Sequence, residues 1–294
     1  MKQSTEGLLY GLLAVCAFSV TLPATRAAVA DLDPLFVGLG RELVAASLAA
    51  PLLWITRQSW PGRAQFRGLA LVILGVVFGF PIFTAIAMGR ADASHGAVVL
   101  GLLPLATAIA GFVLHHERPS LLFWIAAVIG SVTVVVYALS AGAGQLHVAD
   151  FALLAAVVLG ALGYAEGARL APVLGAWQVI CWAVVFAAPL LLPIVAFVAW
   201  RHGLHASPAA WSGFTYVSVV SALLGFFPWY KGLNLGGVAR VSQIMLLQPF
   251  ITLGFAALLL GERITVTAVV CALVIALSIF VSRRAAIHRG TARP

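Results

Sequence analysis

The sequence predicts an all-α membrane protein of ten transmembrane helices, arranged as two inverted five-helix repeats. Three observations predict it. Of the 294 residues, 63% are hydrophobic and only 9% charged. The apolar residues fall into ten runs of bilayer-spanning length. Two stretches 145 residues apart match without a gap.

A soluble chain carries about a quarter charged residues, because its own surface needs polar groups. Lipid removes that need. A helical crossing takes about 20 apolar residues for roughly 30 Å of hydrocarbon. The spans read 7–25, 35–55, 68–88, 94–114, 120–140, 150–170, 177–199, 210–230, 238–260 and 264–282. Ten such crossings with short connectors use nearly the whole chain and leave no stretch for a soluble domain.

The breaks between spans have their own chemistry. Asp33-Pro34 reads as an N-cap followed by proline in the first helical turn. The stretch from Arg57 to Arg67 contains Pro61, Gly62 and three arginines. Ala141 to Gly144 is rich in glycine and alanine, His202 to Pro208 is polar and ends in proline, and Gly236-Gly237 breaks the eighth run. Ala28-Val29-Ala30 has the small-residue pattern of a signal-peptidase site. Only Lys2 supplies charge ahead of it and the apolar run is long, so an uncleaved first span is expected.

With the N-terminus inside, both termini are cytoplasmic. Lys2, Arg57, Arg63, Arg67, Arg118, Arg169, Lys231, Arg240, Arg283, Arg284, Arg289 and Arg293 then face inward. Arg26, Arg41, Arg90, Arg201 and Arg263 face outward. That 12-to-5 split fits the positive-inside rule, and a bacterial inner (plasma) membrane is the expected location. The same scatter explains the net charge of +8 without a nucleic-acid partner. Asp31, Asp33, Asp92 and Asp150 fall on the outer side or its boundary. Cys16, Cys181 and Cys271 lie in apolar runs with no metal-like spacing and read as packing residues.

The repeat aligns LLPLATAIAGFVLHHER (102–118) on LQPFITLGFAALLLGER (247–263). It places Pro104 on Pro249, Thr107 on Thr252, Glu117 on Glu262 and Arg118 on Arg263. Apolar composition alone does not put a proline, a threonine and a Glu-Arg pair in one register. The expected units are 1–142 and 148–284, followed by a cytoplasmic tail, 285–294. Five spans per unit is odd, so the second enters the membrane upside down. Inverted repeats are a signature of secondary transporters, whose halves exchange conformations around one site.

With these residues in view, the chain resembles the drug/metabolite transporter superfamily, EamA type, and within it the YddG-like exporters of amino acids and metabolites. The likeness rests on ASHGAVVLGLLPLATAIAG…HERPSLLFWIAA (93–127), QIMLLQPFITLGFAALLLGER (243–263) and YAEGARLAPVLGAWQVICWA (164–183). The resemblance implies a ten-helix basket, a small-molecule substrate, no cofactor, a monomeric carrier and a central cavity lined by spans 1, 3, 4, 6, 8 and 9. On those spans the polar and aromatic residues suited to line it are Ser19, Phe83, His95, Tyr164, Glu166, Trp229, Tyr230, Lys231, Gln243 and Gln248.

Each residue has a competing structural reading. Charges inside a bilayer are costly and face a cavity or a partner. Glu42 and Glu166 are therefore the candidates for proton coupling, or else members of ion pairs that fix packing. Glu42 is next to Arg41, and neighbours on a helix point about 100° apart, which argues against their neutralising each other. Glu166 shares a face with Arg169. His95 suits a carboxylate ligand, a proton relay or an interfacial hydrogen bond. Gln243 and Gln248, five residues apart, face different sides. Phe226, Trp229, Tyr230 and Lys231 read as an aromatic lining or as an interfacial belt with a snorkelling lysine, and their place at the end of the span favours the belt. Trp54, Trp177, Trp182, Trp200 and Trp211 read as belt residues too. Pro104 and Pro249 are matched kinks suited to gating or to static packing. Gly7-x3-Gly11, Gly75-x3-Gly79 and Gly163-x3-Gly167 are close-packing seams.

Rival functions lack their chemistry. A prenyl or lipid transferase needs clustered carboxylates, and a metalloprotease needs a motif such as H-E-x-x-H. A serine enzyme needs a paired nucleophile and base. No metal site or catalytic residue is expected. A channel filter or a signalling domain is not visible either. The reading is a secondary transporter exporting small metabolites, amino acids foremost. An uptake carrier or an exporter of other metabolites or drugs is the alternative.

Overall fold

The computed structural model describes residues 2–115, 118–141, 147–237, 241–282 and 287–288. Ten helices run through them. α1 is Lys2–Ser19 continued by Thr21–Val29; α2 is Pro34–Ile55; α3 is Arg63–Met88; α4 is Ala93–Val99 continued to His115; α5 is Leu121–Ala141. α6 is Val148–Leu174, α7 Ala176–His202, α8 Pro208–Gly236, α9 Gln243–Leu260 and α10 Val266–Ser282. Seven of the ten (α1 to α4 and α6 to α8) are long and apolar enough to cross a membrane. α5, α9 and α10 are apolar and pack beside them. Two residues, Arg118–Pro119, pair antiparallel with Ile287–His288.

The caps act as expected. Asp33 accepts hydrogen bonds from the Leu35 and Phe36 amides at 2.8 and 3.2 Å, and Pro34 opens α2. Ser207 caps α8 through the Ala210 amide, and Gly237, at φ +84°, ends it. Most of the break at Ala141 to Gly144 lies outside the described residues, as do Glu117, Arg240 and most of the tail.

Proline sets where the helices lose regularity. A proline removes one N–H and crowds the carbonyl four residues before it. Pro23 lies four residues after Ser19, where α1 breaks. α3 is a π-helix over Ile73–Gly79 just before Pro81, and α8 is one over Val217–Leu224 just before Pro228. α4 tightens to a 3₁₀ turn at Leu100–Leu102 before Pro104, and α9 does so over Gln243–Leu247 before Pro249. The same irregularities therefore recur at equivalent places in the two halves of the chain.

Helix pairing repeats in the same way. α2 packs on α7 and α5 on α10; α3 packs on α6 as α8 packs on α1. Small residues make the last two seams. A Cβ on Gly75 would lie 2.3 Å from the Leu159 carbonyl and 2.9 Å from the Gly163 amide. A Cβ on Gly7 would lie 2.6 Å from the Gly236 amide. Glu262 sits at the start of α4, where its carboxylate accepts the Ala93 and Ser94 amides at 3.0 Å. Arg118 follows the far end of α4, about 33 Å away at 1.5 Å per residue. Glu262 and Arg118 thus lie at opposite ends of the bundle.

Candidate functional site

α8 runs six residues past its expected end at 230, to Gly236. That extension moves Phe226, Trp229 and Tyr230 from the membrane boundary into the interior. Their relative exposures are 4%, 0% and 0%, so the belt reading is overturned for all three. They form one cluster with Phe18 of α1, Phe80 of α3 and Tyr164 of α6. Ring centroids are 5.1 Å apart for Phe18–Phe226, 5.5 Å for Tyr164–Trp229, 5.5 Å for Phe226–Tyr230 and 6.5 Å for Phe80–Tyr164. Glycines make the room. A Cβ on Gly167 would meet the Tyr230 ring, and one on Gly225 would meet Phe18. Gln248 of α9 reaches the same neighbourhood and donates to the Phe18 carbonyl at 3.3 Å.

Among the described residues, the buried polar atoms without a hydrogen-bond partner include Trp229 Nε1 and Tyr230 Oη in this cluster and Glu42 Oε2 on α2. Such groups cost about 1–3 kcal/mol each when left unpaired, so their retention calls for a use. Glu42 does pair with its neighbour, contrary to the angular argument. Arg41 Nε donates to Glu42 Oε1 at 2.8 Å, and the two are 3% and 1% exposed. The arginine stem is long enough to bend back across 100° of helix. In a dry interior the attraction outweighs the cost of ordering it. Two aromatic donors and apolar ring faces are therefore gathered in the buried interior.

Other predicted residues lie elsewhere. The Ser19 hydroxyl is buried and donates to its own helix at Val15 O, 2.7 Å. Phe83 is half-buried on α3. Lys231 is exposed and donates to the Tyr10 hydroxyl at 2.7 Å. Glu166 binds Arg169, whose Nε lies 2.9 Å from Oε1, and the pair packs over Gly68 of α3. Gln243 opens the 3₁₀ turn of α9, but its side chain lies outside what is described. Pro104 and Pro249 follow their 3₁₀ turns as the second residue of the α-helix that resumes. Of the tryptophans read as belt, Trp54 and Trp200 are more than 80% exposed, whereas Trp182 is 5% exposed and stacked with Phe186. Trp177 and Trp211 are half-buried.

A second polar cluster closes the end of the bundle where α4 begins. His95 Nε2 lies 2.6 Å from Asp150 Oδ1, and Asp150 Oδ2 accepts the His147 amide at 2.7 Å. Arg26 pairs with Asp92 at 2.8 Å and lies 3.7 Å from Glu262. The cluster joins α1, α4, α6 and the end of α9. The matched Glu-Arg register was the sequence signal for Glu262; nothing local pointed to its partners. Among the described residues no group of three or more His, Cys, Asp or Glu side chains is placed to hold a metal.

An EamA-like transporter family model matches the chain twice, over residues 5–139 and 147–284. The uncharacterized transporter YdeK of Bacillus subtilis (strain 168) is 43% identical over 272 residues, covering 90% of this chain and 92% of YdeK. A crystal structure of a protein 16% identical to this one superposes with a TM-score of 0.73, covering 96% of this chain and 99% of that one. That likeness speaks for the fold alone. The chain belongs to the EamA-like transporter family of the drug/metabolite transporter superfamily and is a multi-pass membrane transporter.

Proposed function

We propose that this transporter is a secondary carrier that exports small amphipathic metabolites, amino acids foremost, by alternating access between two antiparallel five-helix units, 1–142 and 148–284. The observation that carries the reading is the pair of unpartnered buried donors in the aromatic cluster, with Glu42 Oε2 a further unpartnered buried atom on α2. Trp229 Nε1–H and Tyr230 Oη–H suit a carboxylate, Glu42 Oε2 suits an ammonium, and the ring faces suit an apolar side chain or a cation. An α-amino acid presents all of these at once. The cluster draws on α1 and α3 from one unit and α6 and α8 from the other, so relative motion of the units reshapes it. The placement that goes with this reading is a bacterial inner membrane, both termini cytoplasmic, with the carrier acting as a monomer.

Counterflow in proteoliposomes loaded with single amino acids tests it. Saturable exchange is expected for at least one amino acid. Tyr230→Phe keeps the ring and removes the hydroxyl, so flux is expected to fall about tenfold, near 1.4 kcal/mol, while thermal stability holds or rises. Absence of exchange with any amino acid, or full flux in both Tyr230→Phe and Trp229→Phe, contradicts the reading.

A further inference from the structure

The corner where α2 ends and α3 begins carries a hollow of ≈ 700 Å³, lined by Trp54, Arg57, Gln58, Trp60 and Trp182 above a floor of Ala50 and Leu53. Trp54 and Trp60 are 81% and 73% exposed. Two large indoles open to the surroundings at a helix end sit comfortably only at the headgroup level of a bilayer. The walls behind them are ordered: Trp60 lies 5.2 Å from Trp182, and Gln178 donates to Gln58 at 3.1 Å.

The stretch that forms this corner carries basic residues alone. From Leu43 to Ala91 the sequence contains Arg57, Arg63, Arg67 and Arg90 and no acidic residue. Among the described residues none of the first three is in an ion pair. Arg57 is the one described non-glycine residue with positive φ, +51°, and it sits at the C-terminal cap of α2, where glycine is free of strain. An arginine held there needs a use for its guanidinium.

We propose that this hollow binds the headgroup of an anionic phospholipid, with Arg57 on the phosphate, Trp54 and Trp60 flanking the glycerol region, and Arg63 and Arg67 supplying the field that excludes a cationic headgroup. Basic pockets between transmembrane helices at the interface bind anionic lipids by this chemistry. A free phosphate shares the guanidinium contact but makes no use of the aromatic walls.

Native mass spectrometry of the full chain tests the assignment, titrating phosphatidylglycerol, phosphatidylcholine and inorganic phosphate separately. Phosphatidylglycerol is expected to bind more tightly than phosphatidylcholine. Arg57→Gln is expected to weaken it about fivefold, the ~1 kcal/mol of one basic residue at the membrane surface. Arg57→Lys is expected to keep most of the binding, and Trp60→Ala to lower it without changing the fold. Arg201→Gln, at the far end of α7, is expected to leave it unchanged. Equal retention of the two lipids, full phosphatidylglycerol binding in Arg57→Gln, an equal loss in Arg201→Gln, or displacement of lipid by inorganic phosphate each overturns the proposal.

Discussion

Residues that matter most here are polar groups placed where solvent is excluded. Arg41 and Glu42 are almost fully buried and paired through Arg41 Nε and Glu42 Oε1. Glu42→Gln leaves the guanidinium without its counter-charge, and removing one partner of a buried pair costs about 3–5 kcal/mol. Thermal unfolding in detergent is expected to show that loss, with the double variant Arg41→Met/Glu42→Leu recovering most of it. A double variant no better than the single one contradicts this account of the pair. Asp31 presents the exposed counterpart. The side chain and amide of Ser207 bind its carboxylate, which holds the carboxyl below the ordinary aspartate value. A depressed pKa adds stability above the unfolded value that is lost as pH falls through the folded one. Asp31→Asn is expected to lower the melting temperature at pH 7, with the gap to wild type closing in acid below the ordinary aspartate value. A gap that widens there contradicts the clasp. Neither pairing was legible in the sequence. Angular position on a helix says nothing of how far an arginine bends back, and the Asp31–Ser207 contact spans 176 residues.

Elements were more legible, because each span announces itself by length and each break by proline, glycine or a cap. Two of the three Gly-x3-Gly pairs turn out to be partners: Gly75 of α3 lies against Gly163 of α6. Gly75→Ala is expected to destabilise by about 1–3 kcal/mol, since its Cβ would strike backbone that cannot step aside. Gly254→Ala, with nothing within 4 Å of its Cβ, is expected to be neutral or stabilising by up to ~1 kcal/mol. Equal melting temperatures for the two variants contradict the seam. The one consequential misreading was the end of α8. A span of ordinary length ended at 230 with Lys231 after it, but the π segment before Pro228 accommodates the proline and the helix continues to Gly236. Shifting that end by six residues moved Trp229 and Tyr230 from the interface to the candidate site. The Gly236-Gly237 break was the local signal for the true end.

At the scale of the molecule, the repeat ties sequence to function. It was visible in a single gapless register of 17 residues, 102–118 on 247–263. The structure adds the recurrence of π and 3₁₀ segments and of helix pairs under a shift of five helices. The polar cluster of Arg26, Asp92, Glu262, His95 and Asp150 ties the two halves together at one end. The candidate site itself was legible only in part. Tyr164, Trp229, Tyr230 and Gln248 could be chosen by residue type, whereas Phe18 and Phe80 look like any apolar residue until the fold brings them to the others. The proposed alternating access rests here on two antiparallel halves, and cysteine accessibility measures their orientation directly. In a background lacking Cys16, Cys181 and Cys271, single cysteines replace Arg118 and Arg263 and are challenged in intact cells with a membrane-impermeant maleimide. The account predicts labelling at position 263 alone, with position 118 reacting only after the cells are opened. Labelling of both positions from the same side contradicts it.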